Sequence, residues 1–215
     1  MIRTLPRVVP AAPGKPVRPE AVASQRRSRE IAEDPGVWSG ESAREVVRRY
    51  TRLAPEWDGE RGGYRPVPLA DALDRGGPFP AGLCVEVGAG TGLLTPHLAA
   101  VWPRVVSLDL TPEMMRRSRA PWRLIADASR LPLPDGAARA VVLADVPLFA
   151  AEVVRVLAPG GVVVWSNALG TDAPHHVPVD TVRTALDDAA LDDAGGRRFA
   201  ALTAEAGWGL WAVLR

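Results

Sequence analysis

A chain of 215 residues is long enough for one large α/β domain and short for two, and with 47% of its residues apolar it can fill a hydrophobic core. Its formal net charge of +1 argues against a dedicated nucleic-acid or membrane-surface binder, and no run approaches the ~18 consecutive apolar residues of a membrane span. A single cysteine, Cys84, excludes an internal disulfide and any multi-cysteine zinc site; with no apolar stretch after the first arginines, the expected location is cytoplasmic.

Residues 1–36 stand apart. Pro6, Pro10, Pro13, Pro16 and Pro19 recur every three or four residues, and Arg26, Arg27 and Arg29 follow. Such a stretch cannot propagate a helix and has little to bury, so a flexible, extended or disordered Pro/Arg-rich arm is expected. Order is expected from Val37 onward. Ser42-Ala43-Arg44-Glu45 has capping-box spacing, after which Val46, Val47, Tyr50, Leu53 and Ala54 fall on one helical face. A second short helix is expected over Val67 to Leu73, before the turn Gly76-Gly77-Pro78.

The body then alternates. Leu83 to Val87 is an apolar run interrupted only by Glu86, as a buried parallel strand would be. Leu93 to Val101 reads as helix, Arg104 to Leu108 as strand, and Thr111-Pro112 as the cap and first turn of another helix. Further strands are expected at Arg123 to Ala126, Ala138 to Leu143 and Val162 to Ser166, with a helix from Leu148 to Leu157 between the last two. Another helix opens at Pro178, and Arg198 to Thr203 with Leu210 to Leu214 flank Gly207-Trp208-Gly209 as a closing antiparallel hairpin. The fold class is therefore α/β: a doubly wound, mostly parallel sheet of seven strands, over residues 37–215.

Acidic residues close four of the strands: Glu86 lies within the first, and Asp109, Asp127 and Asp145 follow the next three. In open α/β sheets, ligands bind outside these carboxyl ends, where the strand order reverses. Gly88, Gly90 and Gly92 let the backbone turn tightly and approach a ligand, and Asp109, 21 residues after Gly88, suits a ribose diol. A dinucleotide would use a similar turn. The spacing G-x-G-x-G departs from the dinucleotide fingerprint, however, and Glu86, two residues before the first glycine, would repel a pyrophosphate but serve an ammonium and a sulfonium.

Here the chain resembles the class I S-adenosylmethionine-dependent methyltransferases, particularly the small-molecule group related to ubiquinone and menaquinone biosynthesis enzymes, over roughly residues 45 to 215. Val85-Glu86-Val87-Gly88-Ala89-Gly90-Thr91-Gly92 looks like the family's first motif, whose backbone cradles the methionine part. Asp109 in Leu108-Asp109-Leu110-Thr111 looks like the ribose-binding carboxylate, and Asp127-Ala128 like the adenine-binding turn. Leu110 and Met114 suit an apolar shelf for the adenine. The resemblance further implies a Rossmann-like fold, a helical lid over residues 37–80 in which Tyr50 or Trp57 meets the methionine end, and the terminal hairpin.

Methyl transfer from S-adenosylmethionine to a small molecule, leaving S-adenosylhomocysteine, is the expected activity. Asp145, His175 and His176 are the candidates for a catalytic base. Asp145, Asn167 and Asp172 resemble the ligands of metal-dependent catechol methyltransferases only loosely, so no catalytic metal is expected. The acceptor atom (O, N or C) is open, as is a homodimer. An NAD(P)-dependent oxidoreductase and a catalytically inactive cofactor-binding interaction module remain as alternatives.

Overall fold

The computed structural model describes residues 1–16, 21–191 and 198–215. Among them the strands are β1 (Ile2–Thr4), β2 (Leu83–Val87), β3 (Arg104–Asp109), β4 (Trp122–Ile125), β5 (Ala138–Ala144), β6 (Leu157–Asn167), β7 (Ala201–Ala206) and β8 (Gly209–Leu214). The α-helices are α1 (Ala21–Glu33), α2 (Gly40–Leu53), α3 (Trp57–Arg61), α4 (Pro66–Arg75), α5 (Thr95–Ala99), α6 (Pro112–Arg117), α7 (Ala150–Val156) and α8 (Val179–Leu191). One sheet runs in the order β1-β7-β8-β6-β5-β2-β3-β4. Strand β8 is antiparallel to both its neighbours, and every other pairing is parallel.

The two-residue period of the strands divides their side chains between two cores. Val85 and Val87 of β2, Val141 and Leu143 of β5 and Ala212 and Leu214 of β8 face one side, where Val153, Val156, Val182 and Leu186 of α7 and α8 cover them. Cys84, Ala140, Val142, Trp211 and Val213 face the other, against Leu69, Ala72 and Leu98 of α4 and α5. Because both faces are covered, the central strands are continuously apolar rather than alternating, which is why they were legible as buried runs.

Four expectations need correction. The sheet has eight strands among the described residues, because β1 joins the outer edge of β7, with Ile2 opposite Ala201 and Thr4 opposite Thr203. Its prolines begin only at Pro6, so residues 2–4 keep the N–H groups that pairing requires. The expected structureless arm thus carries a strand and, in the proline-free stretch Ala21–Glu33, helix α1 with Ile31 buried; Pro19 lies outside the described residues. Helix α2 begins at Gly40 and is capped by Ser39, whose Oγ accepts from the Ser42 N–H at 3.2 Å, so Ser42 is a buried residue of the first turn and not the cap. Helix α5 is shorter than expected, because left-handed Gly90 and Gly92 hold the preceding residues in the turn and Pro96 occupies its first turn.

From β2 the chain passes outward through β3 and β4, and from β5 in the opposite direction to β6. The switch point therefore lies between the ends of β2 and β5, beside Gly88 and Asp145.

Candidate functional site

The turn after β2 is built on left-handed backbone. Gly88, Gly90 and Gly92 have φ of 67°, 60° and 78°. A Cβ on Gly88 would lie 2.1 Å from Val146 Cγ1, so only glycine fits against the β5 end. A Cβ on Gly90 would lie 3.6 Å from Trp57 Nε1 and 3.9 Å from Met114 Sδ, so the missing side chain leaves open a space walled by those two.

Glu86 does not reach that space. It is 3% exposed, and its Oε2 accepts from Thr95 Oγ1 at 2.6 Å and Ser107 Oγ at 2.7 Å, while Oε1 has no hydrogen-bond partner. Burial pushes its carboxyl above the usual carboxylate range, with the two hydroxyls pulling the other way. The carboxylate therefore ties β2 to β3 and α5 beneath the turn. It does not line the cavity, where it was expected to serve a cationic ligand.

Asp109, at the end of β3, faces the turn from the side. Its Oδ2 accepts from the Gly90 N–H at 2.8 Å and its Oδ1 from the Thr111 N–H at 2.7 Å. The second bond does the capping work expected of the Thr111 side chain, which makes no cap hydrogen bond. Burial raises the Asp109 pKa, and the two amides oppose that shift. Further along the sheet, Asp127 accepts from Ser129 N–H at 2.8 Å and from the Trp38 indole N–H at 3.0 Å. Trp38 in turn packs edge-on against Phe149, with ring centroids 5.5 Å apart.

These groups border a cavity of about 790 Å³ at the switch point. Tyr50, Trp57, Gly88, Gly90, Asp109 and Leu110 of the sequence candidates line it, as do Met114, Asp127, Ala128, Asp145 and His175. A second chamber of about 500 Å³ adjoins it, and the two share Tyr50, Trp57, Arg65, Asp145 and His175. Ala89, Gly92, Glu86 and His176 line neither. Ala89 donates its N–H to Leu108 O at 2.9 Å, and a Cβ on Gly92 would lie 2.7 Å from Ser118 Oγ, so both shape the turn from behind.

Four polar side chains, those of Tyr50, Arg65, Asp145 and His175, meet where the chambers join. Asp145 is the one non-glycine residue among those described with a left-handed backbone, at φ 53°; its Oδ1 accepts from Ala168 N–H at 3.1 Å and its Oδ2 lies 3.8 Å from Arg65 Nη1. His175 is held at both ring nitrogens, Nδ1 2.9 Å from Ser28 Oγ of α1 and Nε2 3.1 Å from the Tyr50 hydroxyl of α2. Burial, with Arg49 and Arg65 adding repulsion, drives its pKa down to about 3, so the imidazole is neutral near pH 7. Burial likewise raises the Tyr50 pKa. His176 is turned away, with Nδ1 3.0 Å from Asn167 Oδ1.

Arg65 and Trp38 are among the lining residues that were not anticipated. Arg65 lies in the short link between α3 and α4, and Trp38 lies between the 3₁₀ turn Pro35–Val37 and α2. Neither belongs to a periodic pattern. Tyr64-Arg65-Pro66, with proline opening a helix, is the one local signal near Arg65, and it indicates a helix start rather than a site.

Residues 85–165 match the family model described as a methyltransferase domain. A malonyl-[acyl-carrier protein] O-methyltransferase of Serratia marcescens is 32% identical over 133 residues, 57% of this chain and 52% of the relative. An uncharacterised methyltransferase of Mycobacterium tuberculosis is 38% identical over 112 residues, 47% of this chain and 45% of the relative. The chain thus spans about half the length of the curated relatives it matches. Among solved structures, the complex of DhpI with S-adenosylhomocysteine superposes with a TM-score of 0.60 at 24% identity, covering 83% of this chain and 98% of that one. A methyltransferase of Aquifex aeolicus gives 0.55 at 18% identity, covering 78% and 96%. The strand order with its antiparallel β8 and the glycine turn at the switch point give the chain the fold of these methyltransferases, and residues 85–165, which include that turn, match the methyltransferase domain.

Proposed function

We propose that this protein transfers a methyl group from S-adenosylmethionine to a small-molecule acceptor. The observation that carries the reading is the pair of chambers meeting at Tyr50, Trp57, Arg65, Asp145 and His175, one beside the glycine turn and the other beneath α2 and α3. The cofactor supplies a methyl on a sulfonium, already an excellent leaving group, so the chain's task is mainly proximity and orientation. Gly88 and Gly90 would receive the methionine part, Asp109 the ribose hydroxyls, and Asp127 with Ala128 the adenine, above Leu110 and Met114. The open space over Gly90 and the carboxylate of Asp109 beside it support that fit. Glu86, Ala89 and Gly92 act by holding the turn. Tyr50 and Trp57 close the methionine end from the lid.

At the junction, His175 is engaged at both nitrogens and held neutral, which suits fixing the Tyr50 hydroxyl better than carrying a proton near neutral pH. Asp145 is the remaining candidate base. The near-neutral charge supports a small molecule over a nucleic acid, and a lone, fully buried cysteine fits a reducing, cytoplasmic setting. No helix among the described residues is long and apolar enough to cross a membrane.

Calorimetric titration tests the reading. S-adenosylhomocysteine is expected to bind and NAD to give no heat. Binding of NAD alone would overturn the proposal in favour of an oxidoreductase.

A further inference from the structure

Three arginines, Arg49, Arg61 and Arg65, line the second chamber together with one carboxylate, Asp145. Arg61 is already engaged, with Nη1 2.7 Å from Glu60 Oε2 and its guanidinium 4.0 Å from the centre of the Trp57 ring. Arg49 reaches Ser24 Oγ at 3.1 Å. Arg65 differs in borders and in bonding. It lines both chambers with its side chain only 11% exposed, and its Nη2 donates to the Ala144 carbonyl at 2.8 Å. Asp145 forms an ion pair with its Nη1 at 3.8 Å, too long for a hydrogen bond, and its Oδ1 accepts from Ala168 N–H. A guanidinium offers five N–H donors in a planar fork, so most of this one's capacity remains for whatever fills the cavity.

We propose that this chamber is the acceptor subsite and that it selects an acceptor bearing one carboxylate, which pairs with Arg65 while its apolar part packs on Trp57, Tyr64 and Leu53. The inference rests on the methyl-transfer reading for the word acceptor, and on the donors that Arg65 keeps toward the chamber for the rest. A neutral molecule filling the chamber would strip water from Arg65 without replacing it, a costly exchange for a buried cation. A dianion would crowd Asp145. A monoanion with a planar, bidentate head matches the fork.

Benzoate and its neutral isostere benzamide test the subsite by ligand-observed NMR and calorimetry on the full chain, with and without S-adenosylhomocysteine. The wild type is expected to prefer benzoate by about tenfold or more, the usual weight of a charge-assisted bond. Arg65→Gln should abolish the preference, Arg65→Lys should retain part of it, and inorganic phosphate at equal concentration should not displace benzoate. Equal binding of benzoate and benzamide to the wild type, with no binding of either counted as equal, overturns the proposal. So does an unchanged preference in Arg65→Gln, or displacement by phosphate. Thermal melting shows whether the variants fold, and the wild-type comparison stands without them. If S-adenosylhomocysteine binds without a benzoate preference, the subsite falls and the cofactor reading survives. A benzoate preference in a chain that does not bind S-adenosylhomocysteine has the reverse meaning.

Discussion

At the scale of single residues, the site is a set of buried polar groups whose partners are known atom by atom. Asp109 spends both carboxylate oxygens on the Gly90 and Thr111 amides. Replacing it with alanine removes the carboxylate proposed to hold the ribose and also frees two turn amides, so Asp109→Ala should weaken S-adenosylhomocysteine binding by at least ~1.5 kcal/mol, more than tenfold, in calorimetry. Unchanged affinity would take Asp109 out of the site. His175 gives a pH signature. Its pKa falls from 6.5 to about 3 on folding, so its contribution is intact above pH 6.5 and is lost as the pH drops from there toward 3. Glu86 and Asp109, with raised pKa values, act in the opposite sense, losing stability as the pH climbs past their ordinary range. The difference between wild type and His175→Gln isolates the histidine. Urea titrations from pH 7 to pH 4 should show the wild type weakening more steeply than the variant, and parallel curves would refute the burial argument.

At the scale of elements, α1 is the piece whose role changed most. Its Gln25 Nε2 donates to the carbonyls of Thr171 and Ala173, both at 2.8 Å, and its Ser28 holds His175. The helix therefore braces the loop after β6 that brings His175 to the cavity. Ser28→Ala leaves the buried His175 Nδ1 without its partner and should cost about 1–3 kcal/mol in chemical denaturation. An unchanged midpoint would mean that α1 rests on the loop without supporting it. The basic residues of this segment had suggested a free arm, because composition records the prolines and charges but not the partner that a buried serine finds 147 positions away.

For the whole molecule, the sheet separates its edge from its working end. Strand β1 lies at one margin with its residues exposed, while the cavity opens between β2 and β5. Deleting residues 1–4 should lower the melting temperature by only a few degrees, at about 2–4 °C per kcal/mol for a chain of this size, and leave S-adenosylhomocysteine affinity unchanged. Lost affinity would connect the edge to the site.

From β2 onward, the order of strands and helices and the placing of Gly88, Asp109, Asp127 and Asp145 at strand ends were legible in the amino-acid sequence. Backbone turns and buried parallel strands are local matters: they demand glycine at positive φ and unbroken apolar runs wherever they occur. Arg65, Trp38 and the bracing of His175 by Ser28 were not, since they lie in connections without periodicity and meet the cavity only because α1, α2 and α4 pack across it. The fate of Glu86 was likewise a tertiary decision. Its place in the motif was plain, but whether its carboxylate faced a ligand or the hydroxyls of Thr95 and Ser107 depended on the face β2 turns toward α5 and β3. Local chemistry determined where a site would form, and long-range packing decided which side chains enclose it and with what charge.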